Sequence, residues 1–263
     1  FWDSKGYVTH NEFRQFCGPT VPLLRLPKRI FTTAETLNAT IDISHFAAGD
    51  LDDCQVRWDL RDNGGASIKA GRFKATVPTG QLSTIGEIAI GLKGIAAPAR
   101  YRLTVAVDET RGGSAIEVAR NGWDVWVYDE TESIDVPADV HVARSLDAEA
   151  LAKLDAGGKV LLLVPPNRIR GDALGPVKIG FSPIFWNTAW TKRQAPHTLG
   201  ILCDPGHPAL ADFPTDFHTN WQWWELITRS NPFIMSGLPS DMRPIVQVID
   251  DWVTTAGSAW SSR

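Results

Sequence analysis

Tryptophan is the residue whose usage stands out, with 11 in a chain of 263 residues and six of them between Trp186 and Trp252. A flat indole face can lie on the C–H face of a sugar ring. Trp186, Trp190, Trp221, Trp223 and Trp224 are therefore candidates for one carbohydrate-binding patch. The competing reading is that they fill a core beneath an irregular loop, since aromatic side chains supply large burial per residue. Three tryptophans within four positions cannot all face inward on one helix, so the binding reading stays open.

A second candidate is Cys203, which follows an apolar run and precedes Asp204, Pro205, Gly206 and His207. A cysteine nucleophile needs a nearby imidazole to hold its thiolate, and His207 could supply one. Pro205 breaks the helix that would follow a nucleophile elbow, so a buried thiol is the competing reading. Asp204, Asp212, Asp216, His207 and His218 crowd the same segment, but no EF-hand or H-x-x-x-H spacing appears. A solvated, turn-rich loop without metal is the expectation there. G-x-S-x-G is absent, and Gly180-Phe181-Ser182-Pro183 lacks the second glycine. Pro165-Pro166 stands where a phosphate-binding loop would carry glycines, so neither a nucleotide nor any other cofactor is expected.

The elements that must position these residues change character along the chain. Thr9 and Glu12 form a capping box for a short helix that carries Phe13 and Phe16 on one face. Such a helix needs something to pack against, and with Phe1 and Trp2 it reads as the tail of a preceding domain. Residues 36–43 and 54–60 alternate apolar and polar with period two, and Asn63-Gly64 follows the second as a hairpin turn. Residues 68–73, 86–92, 101–108, 115–118 and 123–128 continue the series. Seven short strands in about a hundred residues predict an immunoglobulin-like β-sandwich, with Trp58 in its core.

Beyond residue 135 the period shifts. Residues 140–143 read as a strand, 146–154 as a helix and 159–165 as a strand buried on both faces of a parallel sheet. Further strands are expected at 199–203 and 244–249, and a helix at 221–227. The fold class is therefore multidomain, a β-sandwich followed by an α/β domain. A net charge of −4 gives no electrostatic reason for a nucleic-acid partner. No apolar stretch approaches the roughly 20 residues of a membrane helix, so no membrane partner is expected. Cys17, Cys54 and Cys203 are odd in number and widely spaced, which speaks against a disulfide framework.

Several long blocks carry a resemblance. They are residues 1–9 (FWDSKGYVT), 21–29 (VPLLRLPKR), 123–128 (WDVWVY), 180–190 (GFSPIFWNTAW) and 218–226 (HTNWQWWEL). Together they resemble the C-terminal accessory region of β-galactosidase-like enzymes of glycoside hydrolase family 2, over almost the entire chain to about Val253. The resemblance implies that residues 1–20 are the remnant of a catalytic barrel. It further implies an immunoglobulin-like domain at 21–132 and, at 133–263, a flavodoxin-like or amidotransferase-like α/β domain. Residues 255–263 lack the strand with which the family pattern continues, so that domain is expected to be truncated. Retaining hydrolysis needs two carboxylates roughly 5–5.5 Å apart; the resemblance places both in the barrel and neither in this chain. The expectation is a non-catalytic accessory fragment that contacts carbohydrate through its tryptophans, partnered by the preceding barrel or another subunit. The rival is a small hydrolase of esters or lactones that uses Cys203 and the Asp/His segment, with or without a metal.

Overall fold

The computed structural model describes residues 6–130, 135–169, 177–181, 192, 194–235, 239 and 241–250. The chain divides into two compact units, Phe1–Glu130 and Thr131–Arg263. Among the described residues the molecule is mostly β-sheet with a few short helices.

In the first unit the capping box closes as expected. The Glu12 amide donates to Thr9 Oγ1 at 3.2 Å, the Thr9 amide donates to Glu12 Oε2 at 2.7 Å, and helix α1 runs His10–Phe16. Phe13 and Phe16 meet edge to face at 5.3 Å and remain half-exposed. Eight strands follow: β1 Thr20–Arg25, β2 Ile30–Thr32, β3 Thr36–His45, β4 Leu51–Arg61, β5 Ser67–Val77, β6 Gln81–Gly91, β7 Ala99–Arg111 and β8 Ser114–Tyr128. They form a three-stranded sheet, β1-β3-β6, and a five-stranded sheet, β2-β8-β7-β4-β5. All pairings are antiparallel except β2 with β8.

Period-two alternation explains how these strands form a sandwich. Leu37, Ile41 and Ile43 of β3 face Val56 and Leu60 of β4, Leu103, Val105 and Val107 of β7, and Val125 and Val127 of β8 in one buried core. Trp58 packs against the rim of this core, half-buried, over Gly71 directly opposite it. A Cβ at Gly71 would lie 2.6 Å from the indole nitrogen, so that position requires glycine.

Two departures from the sequence reading have clear causes. β1 contains Pro22, which an edge strand tolerates because, among the described residues, β1 has a strand partner, β3, on one side alone. Residues 115–118 and 123–128 belong to one strand rather than two. Asn121 and Gly122, which lie between the two expected runs, stay paired with Val105 and Thr104, and Asn121 Nδ2 donates to the Pro22 carbonyl at 3.0 Å.

In the second unit β9 (Val140–Ala143), α2 (Ala148–Asp155) and β10 (Lys159–Leu162) form the expected parallel strand–helix–strand. Asp147 caps α2 by accepting the Ala150 amide at 3.0 Å. β10 is not buried on both faces, however; Leu161 is half-exposed and burial alternates along the strand. β11 (Thr198–Cys203) and β12 (Val246–Asp250) pair antiparallel as a separate sheet. A flavodoxin-like parallel sheet is thus not seen among the described residues. Apolar runs signal burial, and they do not encode strand direction.

On the outer face of β4, Arg57 makes a bidentate ion pair with the nearly buried Asp108 and reaches Glu117 at 3.2 Å. The hydrogen bonds from Arg57 hold the Asp108 carboxyl below the usual aspartate range, with burial opposing them. A carboxyl lowered in this way adds stability above its unfolded value of about 3.9 and loses it as pH falls through the folded value. Asp108→Asn is expected to cost about 1 kcal/mol at neutral pH, because half-exposed Arg57 is screened by solvent. The variant should also lose less stability than the parent below about pH 4 in urea unfolding. Identical acid limbs for the two proteins would contradict this.

Candidate functional site

The tryptophan segment is built on β11. The Cys203 amide donates to the Phe217 carbonyl at 2.9 Å and the Thr219 amide to the Ile201 carbonyl at 3.1 Å, so residues 217–219 run beside β11. Asn220 then turns the chain into a helix. Its Oδ1 accepts the Trp221 amide at 2.8 Å, a 3₁₀ turn covers Trp221–Trp223, and α3 (Trp224–Ile227) continues it.

Helical spacing sorts the three indoles. Trp223 and Ile227, four apart, face inward onto Ile201, and Trp221 and Trp224, three apart, face outward. Trp223 is 5% exposed, donates its Nε1–H to Thr215 Oγ1 at 2.8 Å and meets Phe213 edge to face at 4.6 Å. It is a core residue, which removes it from any sugar-stacking patch. Trp221 and Trp224 are 49% and 42% exposed. Their ring centroids lie 6.1 Å apart and their planes are inclined by 52°. Phe181 sets its ring steeply against both, at 6.2 Å from Trp221 and 5.3 Å from Trp224. Phe181 itself packs on the Trp223 core. The sequence reading missed Phe181; its position beside the aromatic block at 185–190 is the signal that could have found it. Trp186 and Trp190 lie outside the described residues.

Cys203 and His207 line one cleft of about 340 Å³, together with Leu202, Asp204, Arg243, Pro244, Ile245 and Gln247. That volume suits a small ligand, but the chemistry of the two candidates is already committed. Burial pushes the Cys203 thiol up from its ordinary value, and its Sγ donates to the Asp216 carbonyl at 3.3 Å. Asp204 and Asp216 push it the same way, the reverse of what activates a thiolate. His207 Nδ1 accepts the Ala209 amide at 3.1 Å and caps the turn Pro208–Leu210. Asp204 Oδ1 accepts the Gly206 amide at 2.9 Å. Among the described residues, no three His, Cys, Asp or Glu side chains are grouped to hold a metal ion. Among the same residues, no helix is long and apolar enough to cross a membrane.

Comparison with known proteins adds the following. Residues 141–260 match a family described as a domain of unknown function (DUF8487), and residues 35–129 match a second, also a domain of unknown function (DUF8488). No curated protein matches the chain. Similar solved structures include a β-glucuronidase from glycoside hydrolase family 2, at TM-score 0.30 and 13% identity over 40% of this chain and 11% of that one. The β-glucuronidase of Parabacteroides merdae matches at TM-score 0.30 and 10% identity, over 41% of this chain and 13% of that one. The sporulation control protein Spo0M from Bacillus subtilis matches at 0.31 and 15%, over 43% and 51%. The chain thus spans a small fraction of either glucuronidase.

Two measurements check these placements. Trp223→Ala should destabilise the second unit by about 3–5 kcal/mol, as for other buried aromatics, while Trp221→Ala and Trp224→Ala, which remove half-exposed rings, should cost about 1–2 kcal/mol each. In timed alkylation at neutral pH, exposed Cys17 should react first, Cys203 more slowly, and buried Cys54 only on unfolding. Labelling of Cys203 ahead of Cys17 would show an activated thiolate.

Proposed function

We propose that this chain is a non-catalytic accessory portion of a family 2-type glycoside hydrolase that contacts carbohydrate through Trp221 and Trp224. The observation that carries this reading is the pair of half-exposed indoles, each backed by Phe181 and mounted on a buried core. Indole faces held rigidly at a surface can stack on sugar rings without first losing rotamer entropy.

Other features support the accessory assignment. The Tyr101 hydroxyl donates to the Ala96 carbonyl at 2.6 Å at the entry to β7, in the manner of the tyrosine corner of immunoglobulin-like sandwiches. The parallel β9-α2-β10 unit is what remains, among the described residues, of an α/β plan. Under this reading residues 1–20 belong to a catalytic barrel, 21–132 form the immunoglobulin-like domain and 133–263 the α/β domain. The protein partner is that barrel or another subunit. The chain contributes glycan placement, and the barrel contributes the carboxylate pair of hydrolysis.

The test is a titration of the full chain with soluble oligosaccharides of several sugar types, followed by tryptophan fluorescence. A saturable change is expected, weakened about tenfold or more in Trp221→Ala and in Trp224→Ala. Absence of any change at millimolar ligand across the panel would retire the reading.

A further inference from the structure

The tilt of the two exposed indoles restricts what kind of glycan they can take. We infer, resting on the carbohydrate reading above, that the ligand is a soluble single glycan chain or chain end rather than the flat face of a packed, insoluble polysaccharide. A packed polysaccharide presents its sugar rings in one plane. Aromatic side chains that adsorb to such a surface must themselves lie nearly coplanar, so that each keeps face contact at once. Trp221 and Trp224 do not meet this condition, because their planes are inclined by 52° at a centroid separation of 6.1 Å. A flat surface resting on one indole meets the other at an angle and loses its face contact. On an isolated chain one indole stacks on a ring, and the other, inclined to it, meets a twisted neighbour.

The inclination is fixed from beneath. Phe181 stands at 72° to Trp221 and 68° to Trp224, and its other contacts are with the core around Ile201, Trp223 and Ile227. Swinging either indole toward coplanarity would break one of these ring contacts. The backbone is held as well, by the Asn220 cap on the Trp221 amide. Beside the pair, Glu225 and Arg229 neutralise each other in an ion pair of 2.9 Å, which leaves the aromatic faces as the main recognition element.

The experiment compares two assays on the full chain. Calorimetric titration with soluble oligosaccharides reads the single-chain mode. Depletion from solution by insoluble cellulose and chitin reads the surface mode. Trp221→Ala, Trp224→Ala and the double variant are run in both, with circular dichroism melts as the folding control. Binding of at least one soluble oligosaccharide is expected, weakened about tenfold by either substitution, with no depletion that depends on the tryptophans. Depletion on the insoluble polymers that disappears in the variants would overturn the single-chain inference and leave carbohydrate binding standing. No binding in either assay would overturn both. A concentration-dependent dimer that the double variant abolishes would instead make the pair a protein contact and sink both readings.

Discussion

Burying the indole of Trp223 obliges its N–H to find an acceptor, and the second unit's surface is arranged around that acceptor. Thr215 Oγ1 takes the Trp223 Nε1–H at 2.8 Å and the Gln222 Nε2–H at 3.1 Å, then donates its own hydrogen to the Asp216 carbonyl at 2.9 Å. The same carbonyl accepts from Cys203 Sγ. A single hydroxyl thus ties the helix that carries the tryptophans to the end of β11. An unsatisfied indole or amide here would cost about 1–3 kcal/mol, comparable to what a buried hydrophobic side chain contributes. The outward pose of Trp221 and Trp224 follows from this inward anchor, because helical spacing leaves them no other face.

The first unit obeys a different rule. Its apolar core follows from side-chain alternation, and two polar side chains that it buries, Asp42 and His45, are met by specific partners. Asp42 receives Arg25 at 2.6 Å and Thr84 at 2.8 Å, and the buried His45 ring is held between the Thr20 hydroxyl at 2.8 Å and the Gly49 carbonyl at 2.9 Å. The His45 contacts tie β1 to the end of β3, where an edge strand with a proline has fewer backbone bonds to offer. Arg102 lies across Gly122 to reach Asp124 at 3.0 Å, which is possible because position 122 has no side chain. This contact keeps β8 continuous between the two expected runs.

Much of this was legible before the structure, wherever one physical cause governed the pattern. The alternation at 36–43 and 54–60 reads as strand because one face must meet the core, and Thr9 with Glu12 reads as a helix start because amides need acceptors. Residues 159–165 are ambiguous for the opposite reason: an apolar run records burial but not the direction or number of neighbours, and β10 gained one partner. The tryptophan cluster was half legible. That 221, 223 and 224 cannot share a face follows from helix geometry. Which of them goes inside depends on Ile201, Phe213 and Thr215, far enough away in sequence that no local pattern names them. Phe181 is set by the same long-range packing. The nearness of Cys203 and His207 follows from their spacing in the sequence, and both line one cleft. The state of the thiol was not legible, because it depends on burial.

The distribution of committed and uncommitted groups bears on what the second unit can do. In the cleft, the Cys203 thiol, one nitrogen of His207 and one oxygen of Asp204 hold backbone atoms of their own loop. A catalytic group needs its reactive atom free and its protonation state poised near the working pH. A buried, hydrogen-bonded thiol whose pKa is pushed upward is poised the wrong way. The tryptophans present the opposite case. A ring face is a surface that the backbone cannot use, and Trp221 and Trp224 remain half-exposed. Under the accessory reading proposed above, that pair holds a glycan while another part of a larger enzyme carries out the chemistry.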